Sequence, residues 1–208
     1  MGILASILII ITAGFIIYNI SDVVTLIPRL AGSLINVKEN IHIEDSASIH
    51  RMRNTIFYIF IVPVGISAAR LALYHSPHFL EMTSPGIICL VSIAATGVYI
   101  LLRRLLIALL AATRDGKTIR RLAGVFPNYF IVAGTLAWIS FLICSIFGAP
   151  EGIQAAVIYR EVIIISCLMI IRQWQILSGN CNYLRTFLYL CALEIVPSAY
   201  VAAIMIFV

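Results

Sequence analysis

A chain of 208 residues that is 62% hydrophobic and only 11% charged, with mean hydropathy +1.07, is not a water-soluble domain. Such a domain carries roughly 45–50% apolar and about 25% charged residues. The net charge of +5 does not point to nucleic acid, because the basic residues fall in short connections between apolar runs, where membrane orientation accounts for them.

Lipid offers the backbone no hydrogen bonds, so only helices or a closed barrel cross it. The apolar runs here continue for about twenty residues without alternation, which suits helices crossing a ~30 Å hydrocarbon core and not barrel strands. The sequence therefore predicts an all-α, polytopic transmembrane helix bundle, one domain over residues 1–208, with about six spans. The first covers residues 3–20. No Lys or Arg precedes it and no small-residue cleavage site follows, so it reads as a retained helix. Residues 21–35 are apolar but interrupted by Pro28 and Gly32, which fits an interfacial helix or an extension of the first span. Residues 36–53 form a polar loop.

The second span covers 55–74, with Pro63 inside it, and leads to a short loop containing His75, His78 and Glu81. The third covers 86–112. The Arg103-Arg104 pair falls in its second half, so either the helix is tilted or its end projects into the interface with those arginines near the headgroups. A turn at Asp115-Gly116 and the basic residues Lys117, Arg120 and Arg121 separate it from the fourth span, 122–147. The fifth covers 154–174 and the sixth 186–207.

Lys and Arg counted by loop set the orientation. Loops one, three and five carry all of them outside the spans, and loops two and four carry none. Odd loops are thus cytoplasmic and both termini face outward. Arg103, Arg104, Arg120 and Arg121 become the cytoplasmic, lipid-facing basic set.

Charges inside spans cost about +2.5–3.5 kcal/mol each on insertion scales, so they face the bundle interior and pair. Here they are Arg70, Arg160, Glu161 and Glu194. At ~1.5 Å rise per residue, Glu194 lies roughly 12 Å from the cytoplasmic side, Arg160 about 20 Å and Arg70 about 22 Å. A long arginine bridges the difference, so a buried cluster is expected, either as two pairs, Arg160 on Glu194 and Arg70 on Glu161, or as one crowded group; snorkelling of Arg160 to the outer interface, with Glu161 in water, is the other reading. Pro197 lacks an amide donor and frees the carbonyl of Leu193, which makes it, with Pro63, a helix-kink position. Small residues four apart, Gly65 and Ala69, Ser92 and Thr96, Ala133 and Ala137, mark close helix approach.

Chemistry-bearing motifs are missing. There is no G-x-S-x-G, H-E-x-x-H, phosphate loop or pair of aspartates at membrane depth. Five cysteines show no C-x-x-C spacing, and His42, Glu44, Asp45 and His50 read as a solvated loop. No metal and no cofactor is expected.

The stretch "RTFLYLCALEIVP", Arg185–Pro197, resembles a family of polytopic inner-membrane proteins of unknown function from Bacteroidota, with Tyr-Leu-Cys-Ala-Leu-Glu-Ile-x-Pro as the most specific run. The resemblance implies an inner-membrane protein and brings no activity with it. The function expected is a non-enzymatic integral membrane subunit or assembly factor of a larger cell-envelope complex. Its partners would be the lipid bilayer and another membrane protein or a second copy. A proton-linked transporter or channel subunit using Glu194 is the alternative.

Overall fold

The computed structural model describes residues 3–70, 84–112, 116–179 and 182–197. Every regular element among them is helical: α1 (Ile3–Tyr18), α2 (Ile20–Ile35), α3 (Val37–Asp45), α4 (Ala47–Arg70), α5 (Pro85–Ala111), α6 (Gly116–Ala123), α7 (Val125–Ile146), α8 (Glu151–Ser178) and α9 (Tyr183–Leu190), the last running into a π-helical turn over Cys191–Ile195.

Four stretches among the described residues are long and apolar enough to cross a membrane: Ala47–Ala69, Gly86–Ala111, Arg121–Ile146 and Gly152–Ser178. A fifth arises if Ile10–Tyr18 and Ile20–Ile35, bent by 80° at the break between them, count as one span. Residues 71–74 of the expected second span, the loop with His75, His78 and Glu81, and residues 198–207 of the expected sixth lie outside the described residues.

Local sequence accounts for the breaks. Asn36 is extended, ends α2 and caps α3, its Oδ1 accepting the Lys38 amide at 3.0 Å. Pro85 opens α5, where a missing amide costs nothing. Gly148 takes φ 65° just beyond α7, a left-handed position that suits glycine. The polar connection 36–53 is itself helical, as α3 and the first turns of α4.

Residues 21–35 form a helix of their own, sharply bent from α1. Leu26, Leu30 and Ser33 are buried at i, i+4, i+7, with Asp22 and Arg29 half-buried beside them. The guanidinium of Arg172, on α8, donates to the carbonyls of Leu34 and Ile35, with 2.8 Å from Nη2 to the Leu34 oxygen. A cation thus sits on the orphan carbonyls at the negative end of α2.

The main core gathers at one end of the bundle. Leu26 and Leu30 of α2, Ile43 of α3, Phe57 of α4, Ile119 and Leu122 of α6, and Leu177 of α8 are all essentially inaccessible. The start of α4, the end of α5, the start of α7 and the end of α8 meet there, so the basic odd-numbered connections collect on a single side. At the other end Leu142, Ile143, Ile146 and Phe147 are exposed.

Helices approach most closely where small residues occur. A Cβ on Gly65 would stand 2.7 Å from the Cα of Ile93, so α4 and α5 touch backbone to backbone. Ser92 and Thr96 are buried on the facing stripe of α5. A Cβ on Gly134 would stand 2.9 Å from the Phe60 ring.

Candidate functional site: a buried ionic end

Two arginines are withdrawn into the packed end of the bundle. Arg103, on α5, is 1% exposed, and Arg53, on α4, is 2% exposed. A bare guanidinium cannot stay there without partners.

Arg103 Nη2 meets Glu194 Oε1 at 2.6 Å, and Arg103 Nη1 donates to the Leu193 carbonyl at 3.0 Å. That carbonyl is the one Pro197 deprives of its helical donor. The helix responds by widening: Val196 donates to the Cys191 carbonyl, a π-type bond, and the arginine takes the freed oxygen. The face of the guanidinium lies over Phe126, 4.3 Å from the ring centre. The C-terminal turn is therefore held to α5 and α7 by one side chain.

Arg53 is surrounded by acceptors. Its Nη1 donates to Glu44 Oε1 and, at 3.3 Å, to the carbonyl of Gly124, and its Nη2 donates to Asn54 Oδ1 at 3.0 Å. The amide nitrogen of Asn54 is then the group that faces His50 Nε2 at 2.9 Å. The other ring nitrogen, Nδ1, lies 3.1 Å from Arg53 Nη2 and 3.3 Å from Glu44 Oε2. Gly124 leaves room for the Glu44 carboxylate, which would have to shift if a Cβ stood there. The group ties α3, α4 and the α6–α7 junction together.

Below it runs a neutral ladder: Asn128 donates to Asn40 Oδ1 at 2.8 Å, and Asn40 donates to the Ser33 carbonyl at 2.8 Å. Both asparagines are buried.

A cavity of about 420 Å³ separates the two arginines. Its polar wall is Glu44, His50, Arg53, Asn54, Arg103 and Arg104. Arg104 is exposed, donates to the Tyr58 hydroxyl and lies 4.8 Å from that ring's centre.

The expected charge cluster is rearranged. Glu194 is buried as expected, but its partner is Arg103. Arg160 is exposed on α8 and forms no ion pair among the described residues. Glu161 is half-buried and accepts from the Ser140 hydroxyl of α7. The side chain of Arg70 lies outside the described residues, as does that of Arg120. Arg121 is exposed. Of the basic set expected at the headgroups, Arg103 must be corrected: adjacent residues on a helix point about 100° apart, so a pair of arginines cannot share one face. Arg104 takes the outer face and Arg103 the inner one. Pro63 is buried inside a continuous α4, its carbonyl accepting from Ser67 Oγ at 2.9 Å.

Three residues of this site were not singled out by their type alone. Arg53 and Asn128 lacked any motif. Arg103 had a signal that pairing with Arg104 obscured: Cys89, Ser92, Thr96, Ile100 and Arg103 follow one another at helical spacing on a single stripe.

The fold and the site define an all-α protein with several helices fit to cross a membrane, locked at one end by buried ion pairs. The chain belongs to the family described as Domain of unknown function (DUF4271), whose model matches residues 2–205. No curated protein and no solved structure matches it.

Proposed function

We propose that the chain is a non-enzymatic integral subunit or assembly factor of a larger complex in the inner membrane of a Bacteroidota cell. In this reading it has six spans with both termini outside and its basic, ion-paired end in the cytoplasm. The collection of basic odd-numbered connections at one end supports that orientation.

Arg160 is the observation that carries the subunit reading. It lies nine residues into α8, about 14 Å along the helix axis, with Val162, Ile163 and Ile164 exposed beside it. A charge at such depth ordinarily faces the bundle and pairs. Here it faces out, and the countercharge falls to a neighbouring chain. The ionic groups inside the bundle are meanwhile engaged in joining helices.

The test is a photo-crosslinking residue in place of Ile164, exposed one turn from Arg160 on α8, with Arg160 kept, followed by purification in mild detergent. A discrete crosslinked partner that is lost on Arg160→Leu is expected. A clean monomer with crosslinks to lipid alone would contradict the reading.

The alternative, proton-linked transport through Glu194, has one feature in its favour: that carboxylate is buried in a π-helical turn, a distortion frequent at functional sites. Against it, the carboxylate is engaged 2.6 Å from Arg103 Nη2 in joining helices. Proton flux into liposomes that is unchanged in Glu194→Gln would remove it.

A further inference from the structure

We infer that the cavity between Arg53 and Arg103 is a binding site for a phosphodiester anion. Its charge, its unmet donors and its wall chemistry lead to this class of ligand.

The charge is counted from the side chains present. Arg53, Arg103 and Arg104 line the cavity, with Glu44 opposite and Glu194 behind Arg103. Three guanidiniums against two carboxylates leave one positive charge. Arg53 is neutralised by Glu44 and Arg103 by Glu194, so the surplus resides on Arg104. A phosphodiester carries one negative charge and matches it.

The donors are counted in the same way. Arg103 is 1% exposed, and its Nε has no acceptor among the described residues. That N–H is closed to solvent, so the donors open to a ligand are those of Arg104. Arg104 gives one N–H to the Tyr58 hydroxyl, and no other acceptor of its N–H groups is found among the described residues. Guanidinium groups present donors in a fork whose spacing suits two phosphate oxygens.

The remaining wall is apolar. Phe57, Ile100, Ile107 and Phe126 complete the cavity, which at about 420 Å³ admits a headgroup with a glycerol and the beginning of a carbon chain. An organic phosphodiester fits such a lining better than a bare inorganic ion. The site lies at the basic end of the bundle. Phosphodiesters reach it there either as lipid headgroups or from solution.

The experiment uses the full chain purified in a maltoside detergent, which contributes no phosphate. Phosphatidylglycerol is titrated as mixed micelles in one arm and glycerophosphoglycerol in the other, and thermal unfolding is followed. Diacylglycerol and sodium chloride at matched ionic strength are the controls. Saturable stabilisation by phosphatidylglycerol alone identifies a lipid headgroup, and by both compounds a site open to soluble phosphodiesters. The half-saturating concentration is expected to rise at least tenfold in Arg104→Gln, whose exposed position leaves folding intact, and in Ala123→Leu, which fills the cavity without changing charge. No saturable stabilisation by either compound would overturn the inference. So would equal stabilisation by chloride or an unchanged midpoint in both variants.

Discussion

Arg103 and Glu194 lie 2.6 Å apart, on helices from the middle and the C-terminal part of the sequence, both removed from solvent. The same guanidinium satisfies the Leu193 carbonyl that Pro197 releases. One arginine thus compensates both the acid and the break in the C-terminal helix. A buried pair of this kind is a weak source of net stability but a strong constraint, because removing either member strands the other.

Gly124→Ala should destabilise the protein out of proportion to one methyl group. The new Cβ would displace the Glu44 carboxylate and weaken its pairing with the buried Arg53. A loss of about 1–3 kcal/mol is expected, the usual cost of overpacking. Thermal unfolding in detergent reads it, and Gly124→Ala combined with Glu44→Ala and Arg53→Met should recover part of the loss.

Substitution at Gly65 should be graded by size. Its missing Cβ lets α4 meet the backbone of α5 at Ile93. Gly65→Ala should cost about 1–3 kcal/mol, and Gly65→Leu should cost more or abolish folding, as overpacking does in a filled interface. Equal stability of the alanine and leucine variants would show that the two helices do not pack at this point.

Arg172→Ala should act locally. The loss of its bonds to the Leu34 and Ile35 carbonyls should release the last turn of α2 at a cost of about 1–2 kcal/mol. Hydrogen exchange should rise over residues 30–36 and stay unchanged in α5. A uniform rise across the bundle would contradict a capping role.

Arg160→Gln should leave the isolated chain's stability within about 0.5 kcal/mol of the parent, as for exposed positions with no partner. A loss like that of the buried arginines would show that Arg160 has a partner inside the chain.

Much of this fold is legible in the sequence because apolar length is a strong signal: α4, α5, α7 and α8 each correspond to an expected span. The basic loops also fall on one side of the bundle, as loop counting implies. The ion pairs were less legible, for a geometric reason. Depth along a helix follows from counting residues, but rotation about its axis does not. Arg160 and Glu194 had compatible depths, yet Arg160 turns outward and Glu194 turns toward α5. The stripe from Cys89 to Arg103 held the missing information, since Ser92 and Thr96 marked the packed face of α5 and Arg103 lies on the same line. Arg53 was hidden differently. The segment 36–53 has the composition of a loop, and only its folding into α3 and α4 brings Glu44, His50 and Asn54 around that guanidinium.

The pairing of Arg103 with Glu194 is tested most directly by a double-mutant cycle with Arg103→Met and Glu194→Leu, read as unfolding free energy in detergent. Each single change should cost about 3–5 kcal/mol, because each leaves a buried charge alone. The double change should cost clearly less than the sum of the two, with a coupling of about 1–3 kcal/mol. Additive losses would mean that the two side chains do not meet, and the ionic lock described here would be wrong.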